Sequence, residues 1–179
     1  MPYIKQEHRK LYKNVVSDFG HAVTKFLDSG VDPDTNEALG VYETLASIVA
    51  FEIENSMMID PKLRPGHMNY LITSIIHRLY GSKMRYFDYN QVAGVFEVVL
   101  HLGEETAELS NTKEEHLQQI INQLMVAVYD NAANKDMIEA LGMLRCCATE
   151  FYRRSTSIYE DQCIELNGDV KPDLEIPEK

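Results

Sequence analysis

Glu97, His101, Glu104, Glu105 and Glu108 are spaced by four, three, one and three residues, so on a helix they share one narrow stripe. Four carboxylates and an imidazole form a donor set suited to a hard or borderline divalent cation. Val92, Val95, Val99 and Leu102 would occupy the opposite face, the pattern of a surface helix whose polar side meets water. The expectation is therefore no cofactor, with a divalent metal on this stripe as the alternative. A second set lies near the C-terminus: Glu150, Tyr152, Arg153, Arg154, Tyr159, Glu160, Asp161, Asn167 and Asp169. Tyr and Arg are the types enriched in binding hot spots, and here they stand beside the turn Asn167-Gly-Asp169. The competing account is a terminal helix whose arginines pair with Glu150 and Asp161. His67, Tyr70 and His77 can share a further helical face, expected to be a satisfied, partly buried polar surface. No Gly-x-Ser-x-Gly elbow or phosphate loop occurs, and no cysteine has a histidine nearby in sequence, so no catalytic residue is assigned.

The elements that must position these groups announce themselves as a repeat. Asp-x-x-[Glu/Gln]-[Ala/Val]-[Leu/Ala]-Gly occurs at Asp34–Gly40, Asp88–Gly94 and Asp136–Gly142, each time followed by apolar residues. An acidic residue three positions before Glu or Gln is a capping-box variant, which predicts that Asp34, Asp88 and Asp136 each cap a helix start. A helical stretch precedes each copy, at Val15–Leu27, His67–Tyr80 and His116–Tyr129, and the last two align without gaps from His to Tyr. The unit is helix, polar turn, capped helix, recurring at about fifty residues, in the range of helical repeats. Gly40, Gly94 and Gly142 recur two turns into each capped helix, where glycine costs about 1 kcal/mol against alanine. Flanked by apolar residues, they are expected to allow close approach of a neighbouring helix.

The chain has 179 residues, 45% of them hydrophobic, enough for one domain with a substantial core. Its formal charge of −11 disfavours nucleic-acid backbones. The basic clusters Lys5, Arg9, Lys10, Lys13 and Arg145, Arg153, Arg154 read as solvated faces or as partners for surplus carboxylates. No run of apolar residues suits a membrane span or a secretory signal, so a cytoplasmic location is expected. Cys146, Cys147 and Cys163 lack zinc-type spacing and read as reduced thiols.

Glu104-Glu-Thr-Ala-Glu108 resembles the first half of the motif in MazG-type all-α nucleotide pyrophosphohydrolases. In that family Glu-Glu-x-x-Glu on one helix and Glu-x-x-Asp on the next hold magnesium against a nucleotide triphosphate. The second half here would be Gln119-Ile-Ile-Asn122, with amides in place of both carboxylates, which implies absent or impaired hydrolysis.

A broader resemblance is carried by Met1-Pro-Tyr-Ile-Lys with Arg9, Gly66-His-Met-Asn69-Tyr70-Leu-Ile-Thr73, Glu150-Phe-Tyr-Arg-Arg154, Tyr159-Glu-Asp161 and Asn167-Gly-Asp169-Val170. Together these resemble an uncharacterised family of small proteins from tailed bacteriophages and some prokaryotes, a domain of unknown function. The resemblance implies a viral or microbial, cytoplasmic setting and no activity. Gly94-Val-Phe-Glu97 and Gly142-Met-Leu-Arg145 both match a helix present once in the family, so this chain departs from the pattern by an apparent duplication.

The reading is an all-α fold of about six helices in three repeated hairpins, at about residues 4–56, 66–109 and 112–160, within one domain over 1–170. Residues 171–179 form an acidic, Pro-containing tail, expected to be mobile. The expected role is a non-enzymatic protein-interaction module that binds a protein partner or itself, most simply as a homodimer. An acidic decoy of a host nucleic-acid-binding protein and a degenerate MazG-like enzyme are the alternatives.

Overall fold

The computed structural model describes residues 4–57, 61–81, 84, 86–100, 109, 111–129 and 134–167, and among these no strand occurs. Six principal helices follow one another as α1 (Gln6–Ser29), α2 (Asn36–Met57), α3 (Arg64–Tyr80), α4 (Tyr86–Leu100), α5 (Thr112–Tyr129) and α6 (Asn134–Phe151). A 3-10 turn at Pro61–Leu63 leads into α3. A π-helical turn at Tyr152–Thr156 carries α6 onward into α7 (Ser157–Asn167). The all-α class and the six principal helices agree with the periodicity of the sequence.

Helix boundaries follow local chemistry, though not at the residues expected. α1 ends at Gly30 in the left-handed conformation (φ 69°), where the Gly30 amide donates to the Leu27 carbonyl and the Val31 amide to that of Phe26. This is the geometry for which glycine is selected at a helix C-terminus. The Asp34 carboxylate does not cap α2. Thr35 does, its hydroxyl accepting from the Ala38 amide at 3.3 Å, while the Asp34 side chain accepts a hydrogen bond from Gln119 of α5. Asp88 and Asp136 also miss the cap position: α4 begins at Tyr86 and α6 at Asn134, so both aspartates lie inside the first turn. There a carboxylate favours the helix through the dipole without occupying the cap.

A reciprocal side-chain cap is found instead at α5, whose start carries no aspartate of the repeated motif. Asn111 Oδ1 accepts from the amides of Lys113 and Glu114 at 3.0 and 3.2 Å, and Asn111 Nδ2 donates back to Glu114 Oε1 at 2.7 Å. Glu114 is buried, so the cap holds a carboxylate inside the fold. Asn111→Ala is expected to lower the unfolding free energy by about 1–2 kcal/mol, read as a drop in the thermal midpoint; an unchanged midpoint would show that the cap contributes nothing.

Among the described residues packing runs mainly between the expected hairpins rather than within them: α1 rests on α2, but α3 and α4, expected to pair with each other, are not a principal contact pair. The principal pairs are α1 with α2, α1 with α3, α2 with α5, α3 with α6, α4 with α5 and α4 with α6. Exchange α1 with α2, α3 with α5 and α4 with α6, and this scheme maps onto itself. The α3–α4 and α5–α6 units therefore interlock, each helix of one resting on the opposite helix of the other. α1 and α3 run in the same direction, since Tyr12 meets His67 and, further along both, Gly20 meets Arg78. All six helices feed one buried cluster that includes Phe19, Tyr42, Ile72, Phe96, Leu124 and Phe151.

The repeated glycines are not contact points. A Cβ built on Gly40, Gly94 or Gly142 meets nothing within 4 Å. The close approach occurs instead at Gly20, where a Cβ would lie 2.7 Å from Arg78 Cγ. The physical reason is the phase of the helix. Alanine and aromatic positions such as Ala38, Tyr42 and Ala46 face the core, which turns Gly40 outward.

Candidate functional site

The N-terminal turn of α3 and the C-terminal half of α6 leave a groove of about 530 Å3 between them. Pro65, Gly66 and Asn69 line one side; Gly142, Cys146, Thr149 and Glu150 line the other, at the i, i+4, i+7, i+8 spacing of one helical stripe. Small residues on that stripe are what keep the groove open. Arg64 closes one end of the α3–α6 contact through a 2.9 Å ion pair with Glu139. Asn69 is buried, and its side-chain oxygen accepts from Thr73 at 3.4 Å.

Glu150 is the electrostatic centre of the site. Its carboxylate, 8% exposed as a residue, accepts two hydrogen bonds from Arg153 (Nε at 3.0 Å and Nη2 at 2.9 Å) and one from Arg154 Nε at 2.5 Å. Hydrogen bonds from Arg153 first, and from Arg154 after it, hold the carboxyl down at about 2 against desolvation, which acts the other way. The group is an anion at neutral pH, shared by two guanidiniums. This clamp reaches from the end of α6 into the π-helical turn, with Arg153 and Arg154 at i+3 and i+4 from Glu150, the spacings that bring side chains together on a helix.

Across the turn, Tyr152 donates to Glu160 Oε2 of α7 at 2.6 Å and meets the Tyr89 ring edge-on, with centroids 6.0 Å apart. These contacts set the direction of α7. None of its described residues joins the buried cluster, and Ile158, Tyr159, Ile164 and Leu166 are exposed, Leu166 to 83%. α7 is an arm with apolar side chains in solvent.

Of the C-terminal candidates, the structure brings Glu150, Arg153 and Arg154 into one clamp and joins Tyr152 to Glu160. It leaves Tyr159 and Asp161 on the exposed arm. The Asn167 side chain and Asp169 lie outside the described residues, as does the tail at 171–179. Within the acidic stripe, Glu97 is exposed on α4, while His101, Glu104, Glu105 and Glu108 lie outside the described residues. Among the described residues no three ligand-type side chains are grouped for a metal. Gln119, one of the two amides at the MazG-like positions, is already engaged with Asp34. Asn69, Cys146 and Thr149, which line the groove, are not among the candidates that the sequence offers. The signal that could have found them is the stripe of small side chains from Gly142 to Glu150, read against the Gly66–Asn69 motif. All three cysteines are free, and burial pushes the Cys147 thiol pKa up.

Two buried tyrosine–histidine pairs mark the repeat in three dimensions. Tyr12 Oη lies 2.6 Å from His67 Nδ1, and Tyr42 Oη lies 2.9 Å from His116 Nδ1. His67 and His116 open the two ungapped helical stretches, so corresponding positions perform the same task in both copies. His116 Nε2 reaches the Val31 carbonyl at 3.2 Å, which requires its proton on Nε2 and makes Nδ1 the acceptor for the tyrosine hydroxyl. A family model described as Domain of unknown function (DUF6899) matches the chain twice, over residues 1–103 and 98–170. The chain belongs to the DUF6899 family. The first DUF6899 match takes in α1 to α4 and the second α5 to α7, so the duplication seen in the motifs is a duplication of family sequence. The groove is built across it, with Gly66 and Asn69 from the first match and Glu150 from the second. No curated protein and no solved structure matches this DUF6899 chain. No helix among its described residues is long and apolar enough to cross a membrane.

Proposed function

We propose that this protein is a non-enzymatic interaction module of a microbe or its phage, acting in the cytoplasm as a homodimer through the α7 arm and the adjoining groove. The observation that carries the reading is the arm itself: Ile158, Tyr159, Ile164 and Leu166 are exposed on a helix that adds nothing to the core. Apolar surface held out in this way gains free energy when a partner covers it. A second copy offers the same arm, and a twofold contact uses one surface twice. The Glu150 clamp supports the reading because it fixes the base of the arm, so that less conformational freedom is lost on association.

Size-exclusion chromatography with light scattering is expected to give twice the chain mass of 20.5 kDa at micromolar concentration. Ile158→Glu with Leu166→Glu, both on exposed positions, is expected to return the single-chain mass with unchanged helical circular dichroism. A wild-type mass of one chain, or a dimer indifferent to the double substitution, rules out self-association through the arm.

A further inference from the structure

A second groove, of about 380 Å3, runs between α1 and α3. Gln6, Arg9, Lys10 and Lys13 line it from α1 at i, i+3, i+4, i+7 spacing, and Tyr70 and Ser74 from α3 one turn apart. Three cations meet here, and none of the described lining residues is acidic. In a chain with 28 acidic and 17 basic residues, cations scattered by chance would have carboxylate neighbours. Here Lys10 and Lys13 stand exposed with no ion pair among the described residues. Arg9 is held in place rather than free to swing. Its Nε donates to the Ile4 carbonyl at 3.2 Å and its guanidinium sits 5.7 Å from the centre of the Tyr70 ring, which leaves the terminal nitrogens for a ligand.

We infer that the α1–α3 groove binds a small phosphate monoester, with Arg9, Lys10 and Lys13 on the phosphate and the wall of Tyr70 against the organic part. The guanidinium supplies directed hydrogen bonds and the two ammonium groups supply charge. The volume exceeds that of a bare anion and falls in the range of small-molecule sites. The chain's net charge of −11 selects against a polyanion, because a nucleic acid would extend past so short a basic stripe over the surface of a strongly acidic chain.

The test uses the full chain and phenyl phosphate as the probe, titrated at low salt and followed by NMR amide shifts. Saturable binding with shifts confined to α1 and α3 is expected, together with a loss of affinity of about tenfold or more in the Lys10→Gln, Lys13→Gln double variant. Both lysines are exposed, so the variant should keep the wild-type melting temperature, and the comparison reports on the groove. Absence of saturable binding, equal affinity in the variant, or tighter binding of a single-stranded oligonucleotide than of phenyl phosphate overturns the assignment. None of these outcomes bears on the α7 arm, so this inference and the proposed function stand or fall separately.

Discussion

Lowering the pH from 7 to 4 is expected to remove on the order of 3 kcal/mol of stability through His67 alone. Burial, with His8 adding to it, pushes His67 down from the ordinary 6.5 to about 4. The folded state keeps the ring neutral while the unfolded chain takes up a proton below 6.5. The unfolded state thus binds more protons throughout that window, so stability is intact above pH 6.5 and declines as pH falls toward 4. His116 is shifted in the same direction by burial, against opposing contributions from the Val31 carbonyl and Asp32, and adds to the loss. Protonation of His116 also removes the acceptor for the Tyr42 hydroxyl. His67 Nδ1 faces Tyr12, its Nε2 lies 3.2 Å from His8 Nδ1, and His8 in turn has Glu7 at 4.0 Å, so a proton on His67 must share its surroundings with another imidazole.

Urea unfolding at several pH values measures this directly. Most of the decline should fall between pH 6.5 and 4.5, before ordinary carboxylates titrate. The Glu150 clamp acts in a different window, since a carboxyl held at about 2 loses its contribution only as pH drops below 4.5. A flat unfolding free energy between pH 6.5 and 4.5 would contradict the placement of both histidines. Tyr42→Phe should also leave His116 Nδ1 without its donor and shift the midpoint of the decline.

Gly40→Ala, Gly94→Ala and Gly142→Ala together are expected to stabilise the protein by about 2–3 kcal/mol, near 1 kcal/mol apiece. All three lie inside helices, and an added methyl meets nothing within 4 Å at any of them. The gain arises from the unfolded chain, which loses backbone freedom, and from the better helix propensity of alanine. A higher thermal midpoint in the triple variant is the expected readout; a lower one would mean that something packs on those faces after all. Gly142 also lines the α3–α6 groove, so its alanine variant should narrow that groove while adding stability.

These glycines show where the sequence could be read and where it could not. Apolar periodicity identified the helices, because burial at every third or fourth position leaves a direct trace: Tyr12, Val15, Phe19, Val23 and Phe26 along α1 are all buried. Recurrence of the motif was equally visible and agrees with the double family match. The direction in which a recurring residue points was not, since the motif alone does not give the rotation of the helix about its axis. Capping failed for a related reason. Asp34 satisfies the local pattern, but a distant residue, Gln119, takes its carboxylate and Thr35 serves in its place. The pairing of Arg153 and Arg154 with Glu150 follows from spacing within one helix, and it is the competing account that the sequence offers for these residues. The groove that Glu150 borders was not foreseen, because its other wall comes from α3, about eighty residues earlier, and only the interlocked packing brings the two together.

That interlocking also constrains how the chain is made. As the polypeptide leaves the ribosome, α3 and α4 emerge well before α6 and α5, the helices against which they come to rest. An N-terminal segment of this kind holds apolar faces open during synthesis, a period in which aggregation or chaperone capture competes with folding. Cutting the gene at the junction of the two family matches would make that transient exposure permanent in both fragments, and solubility should return only when the fragments are co-expressed.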